Sequence, residues 1–278
     1  MAYNEPDFLP IWRRHYARQV GEANCVVVDH GSDDGSTADL GAARVIRLPR
    51  SPLDEAWRAR LIGDLCAELL GDYDAVIHAD ADELLLADPA RFGDLADYAA
   101  WMPGEAATAI GLDVQHLPDE EPAFDFTRSV GAQRRWARFA ASMCKPALVR
   151  RPVGWAPGFH CAAEVSVSFD ALYLFHLRYI DLDRGLARLA KTRSMPQASA
   201  QANQHHRVAD TAWEGMVRRI AQLPHTSIAF DAATPPIADW LGRLRASMAG
   251  REAETYRYDL GLAGDALWDI PADFRAAL

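Results

Sequence analysis

The chain begins with short apolar runs separated by longer stretches in which apolar residues recur every three or four positions. The first pattern is typical of buried strands and the second of amphipathic helices. The predicted strands are "NCVVVD", "RVIRL" and "DAVIHAD", and the predicted helices span residues 7–20, 52–70 and 89–101. Apolar strands that alternate with helices predict a parallel sheet covered on both faces, and therefore an α/β fold.

From about residue 106 the pattern changes. The runs "ATAIGLDVQ", "SMCKPALVR", "CAAEVSVSF" and "LYLFHL" are predicted strands without regular helices between them, which indicates a mixed or antiparallel part of the same sheet. Helices are predicted again near residues 181–194, 210–222 and 236–249. We therefore expect a Rossmann-like, mixed but mostly parallel sheet flanked by helices, divided into residues 1–105, 106–195 and a helical part, 196–278.

Composition and charge exclude several classes of protein. The formal net charge of −10 argues against a nucleic-acid binder, which needs a basic surface to neutralise phosphates. The four cysteines form no C-x-x-C pair, which is typical of a reducing compartment. The sequence contains neither an apolar run of about 18 residues nor a secretory signal pattern. We expect a cytoplasmic protein without a transmembrane segment, for which peripheral membrane contact stays open.

The stretch "VIHADADELLL" places three carboxylates, Asp80, Asp82 and Glu83, directly after an apolar strand. Like charges at this spacing repel one another, so a cation is expected among them. Two carboxylates at a strand end can hold a divalent ion, which can then neutralise a diphosphate. The alternative is a solvated turn in which Glu83 caps a helix.

The stretch "VVVDHGSDDGST" ends another apolar strand at Asp29 and continues into a polar loop that contains Asp33. Ligands of parallel α/β sheets bind at the carboxyl ends of strands. Asp29 could therefore accept a hydrogen bond from a ribose hydroxyl or a base edge. The alternative is a turn stabilised by its own side chains and leading into a helix capped by Ser36 or Thr37.

Three motifs in order, "YNEPDFLPIWRRHY", "VVVDHGSDDGST" and "VIHADADELL", resemble the nucleotide-binding half of family 2-like glycosyltransferases with the GT-A fold. The resemblance covers roughly residues 3–90 and is closest to a bacterial subgroup with an Asn-Glu start and an Asp-x-Asp-Glu motif. It implies a metal-dependent, inverting transferase that uses Mn²⁺ or Mg²⁺ and a nucleoside diphosphate sugar. Such an enzyme would build a surface glycan or modify a small acceptor.

The resemblance also implies roles for the three parts of the chain and for single residues. Residues 1–105 would bind the donor, 106–195 the acceptor, and 196–278 would form a helical extension. The residues that the match places near the donor are Asn4, Glu5, Asp29 and Asp33 beside the nucleotide, and Asp80 and Asp82 at the metal, with Asp82 the preferred ligand.

The second half of the sequence supplies the remaining candidates. His160 and His176 follow or lie in predicted strands, and family members similarly carry two such histidines; His176 is a candidate third metal ligand and His160 an acceptor contact. Inverting transfer needs a general base, for which the candidates are Glu164, Asp181 and Glu83, with Glu164 preferred.

Residues 128–151 contain several arginines, one lysine and no acidic residue, a local reversal of the chain's charge. Guanidinium and ammonium groups suit diphosphates or anionic acceptors. Lys145 is the candidate phosphate contact, and Arg134 and Arg138 are candidate acceptor contacts. The alternative is a solvated loop paired with the acidic remainder of the protein.

Two other functions stay open. A nucleotidyltransferase uses a similar sheet and acidic pair, but it usually has a Gly-rich basic loop after its first strand, which this sequence lacks. An inactive GT-A protein that binds a glycan or partner is favoured by the short segment before Asn4, where the family has a full apolar strand.

Overall fold

The structure is a computed structural model that describes residues 1–163, 165–196, 208–252 and 255–278; for residues 249–252, 255 and 256 it describes the backbone. The helices in these ranges are α1 (Phe8–Val20), α2 (Glu55–Leu69), α3 (Leu95–Trp101), α4 (Leu182–Ser194), α5 (Asp210–Ala221), α6 (Ile237–Ala246) and α7 (Ala272–Ala277). All six predicted helices are confirmed. Two begin later than predicted because Asp54 and Asp94 cap their first turns.

The strands in the same ranges are short. They are β1 (Val26–Asp29), β2 (Arg44–Arg47), β3 (Val76–Ile77), β4 (Glu83–Ala87), β5 (Ala106–Thr108), β6 (Ile110–Gln115), β7 (Trp136–Phe139), β8 (Pro146–Val149), β9 (Leu172–Tyr179), β10 (His225–Ser227), β11 (Ala249–Glu252), β12 (Thr255–Arg257) and β13 (Leu267–Asp269). The α/β class predicted from the sequence is confirmed.

The largest sheet has the strand order β10-β13-β7-β6-β9-β4 and is mixed. β10/β13 and β6/β9 are parallel pairs, whereas β13/β7, β7/β6 and β9/β4 are antiparallel. A second sheet, β3-β8-β5, is antiparallel, and β1 and β2 form a separate parallel pair. The prediction of a mostly parallel sheet is therefore wrong. β7 runs back along β6, and β8 runs back along β5, and this reversal of chain direction makes both pairs antiparallel.

Two further predictions need correction. In the described part of residues 161–169 there is no strand, because this segment folds back on residues 154–156 through an isolated bridge between Trp155 and Ala162. The C-terminal part contains α5 and α6 as expected, but it also contains α7, which was not predicted, and it supplies β10 and β13 to the largest sheet. Trp268 of β13 is buried in the main core at 1% exposure.

The helix α1 covers β4, the edge strand of the largest sheet. The hydroxyl of Tyr16 accepts from the N–H of Leu85 at 3.0 Å and donates to the carbonyl oxygen of Glu83 at 3.1 Å. His15 Nε2 lies 2.6 Å from the carbonyl oxygen of Leu85. Side chains thus occupy backbone groups that an edge strand would otherwise expose. Because β4 is fixed in this way, the acidic turn before it is also fixed.

Candidate functional site

The acidic stretch at residues 80–83 forms a tight turn between β3 and β4. The N–H of Glu83 donates to the carbonyl oxygen of Asp80 at 3.0 Å, and the N–H of Asp80 donates to Oε2 of Glu83 at 3.1 Å. Asp82 and Glu83 are 8% and 2% exposed. Glu83 begins a strand, so the alternative in which it caps a helix is wrong. The turn instead carries buried carboxylates that need charge partners from elsewhere.

Asp80 and Glu83 are neutralised from one side by Arg58 of α2 and by Lys145. Lys145 Nζ lies 2.6 Å from Oε1 of Glu83 and 3.7 Å from Oδ2 of Asp80, and the lysine is 5% exposed. Arg58 donates to Oδ1 of Asp80 and, at 3.1 Å, to Glu55. Lys145, predicted as a phosphate contact, therefore lies in the acidic cluster as the partner of Glu83.

Asp82 faces a different set of partners. Arg188 of α4 donates to its Oδ2, and His176 Nε2 lies 3.5 Å from the same oxygen. The other ring nitrogen of His176, Nδ1, lies 2.7 Å from Oδ1 of Asp113. Strand register explains this arrangement, because His176 in β9 pairs with Glu83 in β4 and with Asp113 in β6.

The helix α4 also binds the segment before α1. Lys191, one turn after Arg188, lies with its Nζ 2.7 Å from Oε1 of Glu5 and donates to the carbonyl oxygen of Asn4 at 2.7 Å. Arg188 Nη2 lies 3.4 Å from the same oxygen of Glu5. One face of α4 therefore connects Glu5 with Asp82.

These contacts determine the charge states in the cluster. Burial by itself would raise the pKa of Asp80, but Arg58 and Lys145 outweigh it and hold this pKa below its usual range. Burial is likewise outweighed at Asp82, whose pKa is lowered by Arg188 and His176. At His176 burial favours the neutral ring, yet Asp113 and Asp82 raise its pKa to about 9. The cluster is thus a set of paired carboxylates and cations at neutral pH.

Asp29 ends β1 and is 3% exposed. Its carboxylate accepts from the N–H of Ser32 at 2.9 Å, from Thr37 Oγ1 at 2.8 Å and from Arg47 Nη1 at 3.0 Å. Although burial opposes it, these partners lower the pKa of Asp29. Asp29 therefore organises the loop through its own bonds, as the turn interpretation expects.

The loop after β1 contacts the segment before α1 directly. Asn4 Nδ2 donates to Oδ1 of Asp33 at 2.7 Å, and the N–H of Asp33 donates to Oδ1 of Asn4 at 3.0 Å. Ser36 Oγ accepts from the N–H of Glu5 at 3.2 Å. The predicted helix capped by Ser36 or Thr37 is wrong, because a turn follows here. The structure does bring Asn4, Glu5 and Asp33 together.

Three predicted residues hold other parts of the structure. Asp181 is the N-cap of α4, where Oδ1 accepts from Arg184 N–H at 3.0 Å and Oδ2 from Phe124 N–H at 2.8 Å. Arg138 donates to the carbonyl oxygen of Gly264 at 2.6 Å. His160 Nδ1 lies 2.7 Å from the carbonyl oxygen of Ser142.

Arg134 is 1% exposed, and its guanidinium donates to backbone carbonyl oxygens. The described contacts of these four residues include none with Asp80, Asp82 or Glu83. Glu164 lies outside the described residues.

Four residues of the cluster were not predicted from the sequence: Arg58, Asp113, Arg188 and Lys191. The spacing of Arg184, Arg188 and Lys191 places three cations on one face of a helix, which is a signal that the sequence offers. Asp113 has no local signal, because its position beside His176 depends on the parallel register of β6 and β9.

Oδ2 of Asp82 and Nε2 of His176 could bind a divalent ion as a pair only after the imidazole loses the proton that its raised pKa of about 9 retains at neutral pH. Their atoms lie 3.5 Å apart, a separation that metal–ligand bonds of about 2.1 Å can span. The hydrogen bond from His176 Nδ1 to Asp113 is of the kind that a metal-binding imidazole usually makes through its other ring nitrogen. Within the described ranges, no group of three or more His, Cys, Asp or Glu residues is arranged to hold a metal. Further ligands would come from substrate or water, and Arg188 would leave Asp82.

Comparison of the chain with profiles of known protein families, with curated proteins and with solved structures found no match. Over the part of the chain that the structure describes, no helix is both long and apolar enough to cross a membrane.

Proposed function

We propose that the protein is a metal-dependent glycosyltransferase that uses a nucleoside diphosphate sugar. The observation that best supports this proposal is the convergence of four separate parts of the chain on one mixed-charge site. Glu5, the acidic turn, His176 and the α4 cations meet there, beside the loop after β1. Sugar transfer from such a donor needs residues that bind the nucleoside, a cation that neutralises the diphosphate, and cationic side chains that contact the phosphate oxygens.

Asp82 and His176 would hold the divalent ion, with Asp113 orienting the imidazole. When bound, a divalent ion supplies Lewis-acid neutralisation of the leaving diphosphate. Arg188, once released from Asp82, could contact phosphate oxygens, whereas Lys191 would stay bound to Glu5 and to the carbonyl oxygen of Asn4. Asp80 has a supporting role in this proposal, because Arg58 and Lys145 already occupy it.

The loop after β1 and the segment at residues 3–5 would bind the nucleoside. Asp33 and Asn4 bind each other and are exposed enough to exchange these bonds for ligand hydroxyls. Asp29 is saturated by protein donors, which supports a role in shaping the loop.

The remaining role is that of the general base that deprotonates the acceptor, for which Glu83, Asp181 and Glu164 are the candidates. Both oxygens of Glu83 are engaged, one by Lys145 and one by the N–H of Asp80. Both oxygens of Asp181 are likewise engaged by backbone N–H groups. These contacts indicate that Glu83 and Asp181 stabilise the fold. Glu164 therefore remains the proposed general base.

The test is a binding titration of UDP, GDP, CDP and CMP, each with Mn²⁺, Mg²⁺ or EDTA. We expect one diphosphate to bind only with metal, and Asp82→Asn to weaken it by about 10- to 100-fold or more, as loss of a metal ligand or its support does. Asp64→Asn on exposed α2 surface is the matched control and should bind like wild type. Release of the nucleotide from the cognate sugar donor in the presence of acceptor then measures turnover.

If folded protein binds no nucleotide under any of these conditions, the proposal fails. A glycan- or partner-binding protein without turnover then becomes the better interpretation, and the internal neutralisation of the acidic turn would be its structural support. Accumulation of a nucleotide sugar from a sugar phosphate and a nucleoside triphosphate would instead indicate a nucleotidyltransferase.

A further inference from the structure

A row of polar side chains crosses the largest sheet beside His176. Arg138 of β7 pairs with Asp113 of β6, and Asp113 pairs with His176 of β9. Residues that pair directly across neighbouring strands point to the same face of a sheet. Because neighbouring strands lie about 4.8 Å apart, the backbone of Arg138 is about 10 Å from that of His176. The face that carries His176 therefore continues as a polar surface toward β7.

A shift in register at the end of β9 brings Tyr179 to the same face. From Asp113 to Gln115 the strand β6 advances by two residues, whereas β9 advances by three, from His176 to Tyr179. An extra residue of this kind changes the direction of the side chains that follow it. Tyr179 lies opposite Gln115 and is therefore on the same face as Asp113.

Aromatic stacking holds the ring of Tyr179. It stacks on Trp213 of α5, with ring centres 5.1 Å apart and planes at 23°. Trp213 is 2% exposed and packs closely on Gly185 of α4, where a β-carbon would lie 2.9 Å from the indole. The hydroxyl of Tyr179 forms no hydrogen bond with any described residue. The ring is therefore fixed in position while its hydroxyl stays available.

Arg178 is held by aromatic faces alone. Its guanidinium carbon lies 4.9 Å from the centre of the Trp213 ring and 5.9 Å from that of Tyr179. The N–H groups of a guanidinium lie in its plane, so contact with an aromatic face leaves them free to donate. Among the described residues Arg178 has no hydrogen bond or ion pair. Arg138 donates only through Nε, to the carbonyl oxygen of Gly264 at 2.6 Å, which leaves both its Nη groups available within the same ranges.

The charges of both arginines act on the Tyr179 hydroxyl. Burial raises the pKa of Tyr179 to about 12, and the charge of Asp113 acts in the same direction. The charges of Arg178 and Arg138 oppose this shift, which indicates that both are near the hydroxyl. Asp113 is already bonded to His176 at 2.7 Å, and no described carboxylate pairs with either arginine. Two partly exposed cations thus lack an anion beside the proposed metal ligands.

We propose that Arg178, Arg138 and the hydroxyl of Tyr179 form an anion subsite, so that the acceptor is a saccharide that carries a carboxylate or phosphate group. The assignment to the acceptor rests on the proposed function, because it depends on donor chemistry at Asp82. Guanidinium and hydroxyl groups all donate hydrogen bonds to an oxyanion, and bonds between opposite charges are the stronger ones. A neutral sugar would cover the two cations without pairing them, which is unfavourable.

The test measures binding of glucuronate, glucose 6-phosphate and glucose by ligand-observed NMR, in EDTA and without nucleotide. We expect at least one anionic sugar to bind about tenfold more tightly than glucose, and the tighter of the two identifies the anionic group. Arg178→Gln should remove this preference, and Arg178→Lys should keep part of it, because the charge remains without the planar fork. The matched control is Arg135→Gln, which changes an exposed arginine paired with Asp269 and should bind like wild type.

Arg178→Gln breaks no hydrogen bond among the described residues, so its fold is expected to survive, and its Tm checks this. Arg138→Gln should weaken the preference in the same direction. Equal or undetectable binding of the three sugars to wild type would overturn the inference. So would an anion preference that both Arg178→Gln and Arg138→Gln retain, because the anion would then bind elsewhere.

Binding of nucleoside diphosphate with metal, measured separately, distinguishes this inference from the proposed function. If the nucleotide binds and the anionic sugars have no advantage, the anion subsite fails and the transferase proposal stands. If no nucleotide binds and the preference depends on Arg178, the transferase proposal fails and the anion subsite stands. With a donor that turns over, Arg178→Gln should raise the KM for the anionic acceptor about tenfold and leave kcat nearly unchanged.

Discussion

Arg134 and Arg188 are both close to carboxylates, but they are held in opposite ways. Arg134 is 1% exposed and donates to the carbonyl oxygens of Ile180, Gln133 and Pro122 at 2.7, 3.0 and 3.0 Å. Its carboxylates, Glu121 and Asp181, are more distant at 3.6 and 3.9 Å. Arg134 therefore connects backbone segments, and no ligand could replace it without breaking the fold.

Arg188 contacts side chains instead. It binds Asp82 and Glu5, and its guanidinium lies 4.5 Å from the centre of the Phe8 ring. Each carboxylate has a second partner, His176 for Asp82 and Lys191 for Glu5. Arg188 can therefore leave without isolating a buried charge. The comparison suggests a general criterion: a cation held by backbone carbonyls is structural, whereas one held only by side chains that have other partners is available to a ligand.

The largest expected effect is on folding. Arg134→Met should lower the free energy of unfolding by about 3–5 kcal/mol, because it leaves buried carbonyl oxygens and two carboxylates without their cation. Urea denaturation measures this. Arg135→Met is the matched control, since Arg135 is exposed and pairs with Asp269 at the surface, so little change is expected. Equal stability of the two variants would contradict the structural role of Arg134.

The second prediction concerns pH. The pKa of His176 in the folded protein is raised to about 9, above its unfolded value near 6.5, so His176 stabilises the folded state fully below about pH 6.5. This contribution should be lost as the pH rises through about 9, and it amounts to at most about 3 kcal/mol. Urea denaturation in EDTA at about pH 6 and about pH 9.5 measures it.

The control for this pH effect is Asp113→Asn, which keeps an acceptor for His176 Nδ1 but removes the negative charge that raises its pKa, and it should reduce the difference between the two pH values. His176→Gln should abolish the part of the difference that belongs to this residue. If wild type and His176→Gln lose stability equally over this range, His176 is not the group responsible.

The smallest effect on folding is expected at Arg188. Arg188→Met should cost only about 1 kcal/mol, since Asp82 and Glu5 keep their other partners. In the proposed function, however, it should weaken metal-dependent binding of the nucleoside diphosphate by about tenfold, the usual effect of one charge-assisted contact. The matched control is Arg184→Met, one turn earlier on α4 and more exposed. If Arg188→Met lost as much stability as Arg134→Met, Arg188 would also be a structural residue, and the proposed difference between the two arginines would be wrong.

Much of the local structure was predictable from the sequence, because periodicity reports which face of each element is apolar. All six predicted helices were correct, whereas the direction of strand pairing was not. The segment at residues 161–169 shows why: an apolar run is compatible with a strand, but its pairing partner at residues 154–156 decides the outcome. The candidate site was predictable to a similar degree. Asp80, Asp82, Glu83, Lys145 and His176 were identified, and the cations of α2 and α4 were not.

The sequence by itself determined the α/β class, the helices and the position of an acidic turn directly after an apolar strand, since these depend on neighbours within a few residues. The partners of that turn were decided only by the tertiary structure. Asp80 faces Arg58 and Lys145, whereas Asp82 faces Arg188 and His176, although one residue separates the two carboxylates. The physical reason is that charges are paired by proximity in space, and that proximity depends on strand register and helix packing across about a hundred residues of chain.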